Sequence, residues 1–120
     1  MAEDPTSTDP GLYKVVFEND RVRVLEYRDR PGDRTHPHGH PDSVMVTLSS
    51  FRRRLYGEDG RQADVELPAG QARWVGTQTH AGENIGASDT HAIFVELKEP
   101  PPPGVPAGDP PLGPTTDQPG

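Results

Sequence analysis

Cysteine is missing from all 120 residues. That absence removes disulfides, thiolate metal sites and cysteine nucleophiles together, so any metal must rest on imidazole or carboxylate. Apolar residues are scarce as well. They make up 30% of the chain, enough for one modest core, which together with the length predicts a single domain. No apolar run approaches the ~18 residues of a membrane span. Met1 to Pro10 lacks the basic and apolar stretches of a secretory signal, so the expectation is a soluble cytoplasmic protein with no membrane partner.

Positive charge is also thin. The formal −7 divides into −3 before Gly11, −2 after Glu99 and 12 basic against 14 acidic residues between 12 and 99. A nucleic-acid surface needs clustered lysine and arginine facing phosphates, and this near-neutral segment argues against one. The single basic run, Arg52, Arg53 and Arg54, alternates between faces if it lies in a strand, which predicts a solvated face and not a phosphate clamp.

Proline and glycine are plentiful. Positions 100–120 hold nine prolines and four glycines, with Val105 and Leu112 as the large aliphatics. Such a stretch cannot bury enough surface to offset its ordering entropy. The expected organisation is a disordered segment over 1–11, a folded domain over 12–99 and a disordered tail over 100–120. Residues 1–10 and 101–120 are then expected to be dispensable for fold and metal binding.

Between residues 12 and 98 the segments are short, rich in β-branched and aromatic residues, and separated by turn formers. They predict strands near 13–17, 21–28, 34–38, 43–49, 51–57, 62–67, 71–75, 79–85 and 90–98. Pro31-Gly32-Asp33, Gly57 to Gly60 and Pro68-Ala69-Gly70 supply turns between them. No stretch of ten residues carries a helical apolar stripe. Many short strands at this spacing indicate an all-β antiparallel sandwich or barrel.

The chemistry sits in the histidines. His36, His38 and His40 alternate along one extended segment, so they project from one side of it, and an i, i+2 pair can reach one ion. His80, from a later strand, can complete three ligands and leave positions open. The bland alternative is a polar loop with solvated histidines.

The same residues resemble the cupin family over about 14–98. Gly32, five residues and His38-Gly39-His40 match its first motif, and His80-Ala81-Gly82-Glu83-Asn84 matches the end of its second. The glutamate that the family places three or four residues after the histidine pair is replaced by Val44 and Met45. The proline and glycine usual before the second-motif histidine are also absent. The resemblance implies a single small antiparallel β-barrel of the double-stranded β-helix, jelly-roll type. It also implies one divalent ion on His38, His40 and His80, the three-histidine arrangement that some cupin dioxygenases use. Fe(II) is favoured, with Zn(II), Ni(II) or Mn(II) as alternatives, and pairing through the sheets makes a homodimer an expectation.

Other polar residues take supporting roles in this reading. His36 is a pocket or ligand-supporting residue, His91 a structural histidine, Asp42 a turn acceptor and Asn84 a hydrogen-bonding residue that orients the His80 strand. Glu83 lies close in sequence to a ligand. Parity places Val44, Val46 and Leu48 on the histidine face, with Trp74 beside His80. Tyr56 is assigned to core packing and Arg73 to a surface ion pair. Neutral ligands leave the ion its full charge, which favours a small anionic or enolate-forming ligand. Substrate chelation with oxygen activation follows if the ion is iron, and isomerase or lyase chemistry if it is not. A non-catalytic binding module and a barrel with a vestigial site are the rival classes.

Overall fold

The computed structural model describes residues 3–99 and 112–114. The tail expected to be disordered lies, apart from 112–114, outside the described residues, as do residues 1 and 2. Among the described residues no helix is long and apolar enough to cross a membrane.

Among the described residues, nine strands follow one short helix. They are α1 (Pro5–Thr8), β1 (Tyr13–Glu18), β2 (Val22–Asp29), β3 (His38–His40), β4 (Ser43–Thr47), β5 (Phe51–Gly57), β6 (Gln62–Leu67), β7 (Ala72–Val75), β8 (Gln78–Asn84) and β9 (Thr90–Leu97). Turn chemistry separates them as expected; Gly60 ends the β5–β6 turn at φ 84°, a conformation open to glycine and strained for other residues. The strand expected over 34–38 begins instead at His38, because Pro37 has no N–H to give to a ladder.

The strands form two antiparallel sheets, ordered β1-β2-β9-β4-β7 and β3-β8-β5-β6. The architecture is the double-stranded β-helix, and one expectation needs correcting: the sheets face one another but do not close into a barrel. Short edges account for this. β3 has three residues and β7 has four. Proline on either side of β3, Pro37 and Pro41, stops its ladder from growing around a corner.

The interior is unusual in what fills it. Nine hydrophobic residues are buried among the described ones, against thirteen polar or charged residues. The apolar part is two clusters, Met45, Phe51, Val75 and Ala92 in one and Tyr13, Leu25 and Tyr27 in the other, with Phe94 packed against both. A thin core of this kind needs its buried polar groups paired, and Asp29 organises that pairing. Its carboxylate accepts from the Tyr27 hydroxyl, from Arg53 Nη1 at 2.5 Å, from Asn84 Nδ2 at 3.0 Å and from the Thr90 amide at 3.2 Å. The alternation expected for the arginine run holds, but the inward member, Arg53, enters the core instead of solvent.

The segment 3–11 also departs from expectation. Instead of lacking structure, it lays α1 against β1 and β3. Asp4 caps the helix through the Thr6 amide at 2.8 Å and reaches Arg23 at 2.9 Å. The Glu3 carbonyl accepts from the Gly39 amide at 2.7 Å. Sequence composition missed this because the docking is made by polar groups, not by an apolar stripe.

Candidate metal centre

β3 and β8 are paired so that His38 lies opposite His80 and His40 opposite Gln78. Alternation along each strand then sends His38, His40 and His80 inward, where they are all but fully buried. Their rings close a triangle, with centroids 4.7 Å apart for His38 and His40, 5.1 Å for His38 and His80, and 5.0 Å for His40 and His80. Each offers a ring nitrogen within 4.8 Å of the other two.

Which nitrogens face the centre follows from their partners. His38 Nδ1 stands 2.8 Å from the His36 carbonyl oxygen, which can only accept, so Nδ1 carries the proton and Nε2 keeps its lone pair. His80 Nδ1 stands 2.8 Å from Gln78 Oε1. That amide is oriented by main-chain groups, its Nε2 donating to the Gly76 carbonyl at 3.0 Å and its Oε1 accepting from the Gly113 amide at 2.6 Å. His80 must therefore donate through Nδ1. His40 Nδ1 faces Glu96 Oε2 at 3.5 Å, and its Nε2 is buried with no hydrogen-bond partner.

Three imidazoles thus hold their Nδ1 atoms toward carbonyl or carboxylate oxygen and turn Nε2 inward. This is how metal-ligating histidines are commonly oriented. A buried nitrogen lone pair without a donor is costly unless a cation takes it, so the donor set fits a divalent metal. Burial, with the neighbouring histidines second, favours the neutral form of two of the rings: His40 is lowered to about 3 and His80 lies well below the usual range. His38 is lowered too, mainly by burial. Neutral imidazole is the ligating form.

The surroundings complete the site. The Tyr13 hydroxyl donates to His38 Nε2 at 3.4 Å, and Phe94 stacks on His40 at 5.3 Å between centroids. Glu96 is buried, and burial raises its carboxyl above the usual range while Arg23, at 2.8 Å, pulls the other way. A cavity of about 50 Å³ lies between the sheets beside His38 and His80, walled in part by Tyr13, Met45, Arg53 and Phe94.

The three predicted ligands are brought together. His36 is a partial match, since its carbonyl supports His38 but its side chain is turned out to Asp9, at 2.9 Å. His91 bonds Glu26 at 2.7 Å on the outer face, a structural role as expected. Asp42 is the turn acceptor foreseen, taking the Thr77 amide at 2.8 Å, and Asn84 bonds Asp29 and the Ser88 carbonyl.

The predicted lining needs correction. Pro41 and Asp42 break the extended segment and shift its parity, so Ser43, Met45 and Thr47 point inward while Val44, Val46 and Leu48 point out. Trp74, opposite Val44, is outward as well. Phe17, Val24, Val95, Val44 and Trp74 stand in register as one apolar row across the outer face of the larger sheet. Tyr56 is not core packing: it donates to Glu83 at 2.6 Å outside the cavity, beneath Arg34. Arg73 donates to Gln71 Oε1 at 3.1 Å.

Sequence reasoning missed Tyr13, Gln78 and Glu96. The signal for two of them was parity, Gln78 with His80 and Glu96 with the buried Ala92 of the same strand.

The chain is similar to a cupin domain from Bordetella pertussis Tohama I, with 26% identity and a TM-score of 0.68 over 73% of this chain and 93% of that one. By fold the chain is a cupin. A double-stranded β-helix protein from Klebsiella pneumoniae is 21% identical, with a TM-score of 0.58 over 72% of this chain and 75% of that one. The polyketide cyclase RemF from Streptomyces resistomycificus is 21% identical, with a TM-score of 0.54 over 75% of this chain and 66% of that one. No protein-family model matches the sequence, and no curated protein matches it. In this chain the smaller sheet carries both histidine segments on neighbouring strands, β3 and β8.

Proposed function

We propose that this cupin binds one divalent ion, Fe(II) in first place, on Nε2 of His38, His40 and His80, and acts as a dioxygenase on a small acid or enolisable substrate. The observation that carries the metal reading is the buried, unpartnered His40 Nε2 facing two imidazoles whose other nitrogens are already engaged. Bound iron would supply oxygen activation and a Lewis acid for a chelating oxygen anion.

The chain's own residues set the rest. Arg53 is spent on Asp29, so the anion-binding charge in the cavity must come from the ion. Tyr13 presents a hydroxyl beside His38 and can donate to an oxygen held at the centre. Phe94, Met45 and Val75 give the space an apolar wall. At about 50 Å³ the cavity is far smaller than the ~150 Å³ that holds a benzene ring, which supports a substrate of few atoms over a polyketide.

The test is metal analysis of untagged protein, followed by oxygen uptake by Fe(II)-loaded protein with small carboxylates and diketones. Oxygen loss coupled to substrate loss supports the dioxygenase. Tight metal without oxygen loss, but with isomerised or cleaved substrate under Zn(II) or Ni(II), moves the chain to Lewis-acid chemistry. Metal without any turnover leaves a binding module, and no metal at all overturns the site.

A further inference from the structure

Gly113 and Pro114 form part of the cavity wall, although they lie far along the chain from every strand. Among the described residues, two hydrogen bonds seat this piece of the tail, both to the side-chain amide of Gln78. The Gly113 amide donates to Oε1 at 2.6 Å, and Nε2 donates to the Gly113 carbonyl at 3.3 Å. The same Oε1 takes the proton of His80 Nδ1 at 2.8 Å, so one buried amide joins the tail to a metal ligand.

The seat favours glycine. Gly113 stands at φ 82°, in the left-handed region, and a Cβ placed there would lie 2.5 Å from Leu55 Cδ1 and 3.5 Å from Val65 Cγ2. Residue 113 and the cavity wall are in close contact at a position where the backbone favours glycine and a side chain would have to displace Leu55.

We propose that residues 112–114 are a strap that closes the metal cavity, and that its release from Gln78 controls access to the centre and the size of ligand admitted. The inference rests on the metal reading for the identity of what is gated, but not for the existence of the strap. Among the described residues the cavity is closed on this side by Gly113 and Pro114, held through two hydrogen bonds to one side chain, so opening this wall breaks no strand pairing.

A gate has a kinetic signature that a ligand does not. In the full chain, Gly113→Ala unseats the strap without altering any of the three histidines, while Gln78 keeps its bond to the Gly76 carbonyl. Zn(II) uptake and its release to a chromophoric chelator should both quicken, by about tenfold for the loss of two ordinary hydrogen bonds, release the more so because Gln78 also loses one of the groups that orient it toward His80. Equal rates in the two proteins overturn the proposal. So does a fall in affinity without faster uptake, which would make Gly113 a structural residue.

Hydrogen exchange of metal-free protein gives an independent readout. The Gly113 amide should be protected in the parent chain and unprotected in Gln78→Ala. Exchange at the open-chain rate in the parent overturns the strap whatever the metal does. Protection without any Zn(II) uptake keeps the strap and overturns the metal site.

Discussion

Arg53, on the smaller sheet, reaches across the interior to Asp29, on the larger one, at 2.5 Å, and with Tyr27, Asn84 and Thr90 this pair ties the two sheets together. Removing one partner strands the other as a buried charge, whereas removing both leaves no charge to solvate. Asp29→Ala should therefore cost about 3–5 kcal/mol in urea unfolding, and combining it with Arg53→Met should recover a large part of that loss. Additive losses in the double variant would show that the pair is not coupled.

Alanine at His38, His40 or His80 should each lower metal affinity by at least about 100-fold, because two imidazoles cannot hold a first-row ion well against water. His36→Ala should retain the ion, since what supports His38 is the His36 carbonyl and not its ring. His91→Ala should retain it too, its ring being paired with Glu26 outside the cavity. Isothermal titration of each variant decides the matter; release by His36→Ala alone would place the ligands wrongly.

Val44→Glu should leave metal affinity unchanged. Parity along one continuous strand would have made it a fourth ligand, but the side chain at 44 lies on the outer face between Val95 and Trp74. A carboxylate there meets solvent and apolar neighbours, so the expected result is a small loss of stability with no gain in affinity. Tighter binding on titration would mean that β4 is flipped in solution.

That register shift shows where legibility ended. β-branched runs and turn residues announced the strands, because both signals are local, and the ligand trio was readable because two histidines shared a strand face and a third matched a spaced motif. The supports were not. Glu96 and Arg53 look like surface charges until the pairing of β9 and β5 turns them inward, and which way a strand turns after Pro41 depends on the sheet it joins. The seating of residues 3–11 depends on single polar contacts, which composition does not register.

Those contacts can be tested directly. A chain starting at residue 11 loses the Glu3 bond to Gly39 and the Asp9 bonds to His36, both of which brace the segment that carries His38 and His40. Its melting temperature should fall by about 5 °C or more, and metal affinity with it. The opposite expectation, that this segment is dispensable, follows from composition alone, and unchanged melting and affinity would restore it.

Acid should destabilise the metal-free protein before its carboxylates protonate. The folded chain keeps His38, His40 and His80 neutral below the ordinary histidine range, chiefly through burial, with His40 lowered to about 3. The unfolded chain protonates all three near ~6.5, so below that pH it binds protons that the fold refuses. The sign is then fixed: stability is full above ~6.5 and is lost as pH falls toward the folded values, by at most about 1.4 kcal/mol per pH unit for each histidine. Glu96, whose carboxyl is raised in the fold, acts in the opposite sense, but with one proton against three. Urea unfolding at pH 7.5 and pH 5 should therefore show a clear loss at the lower pH. Excess Zn(II), which binds only the neutral rings of the folded state, should move the loss to more acid pH. Equal stability at both pH values without metal would mean that the three rings are solvated, and with that the buried donor set on which the metal centre depends would be gone.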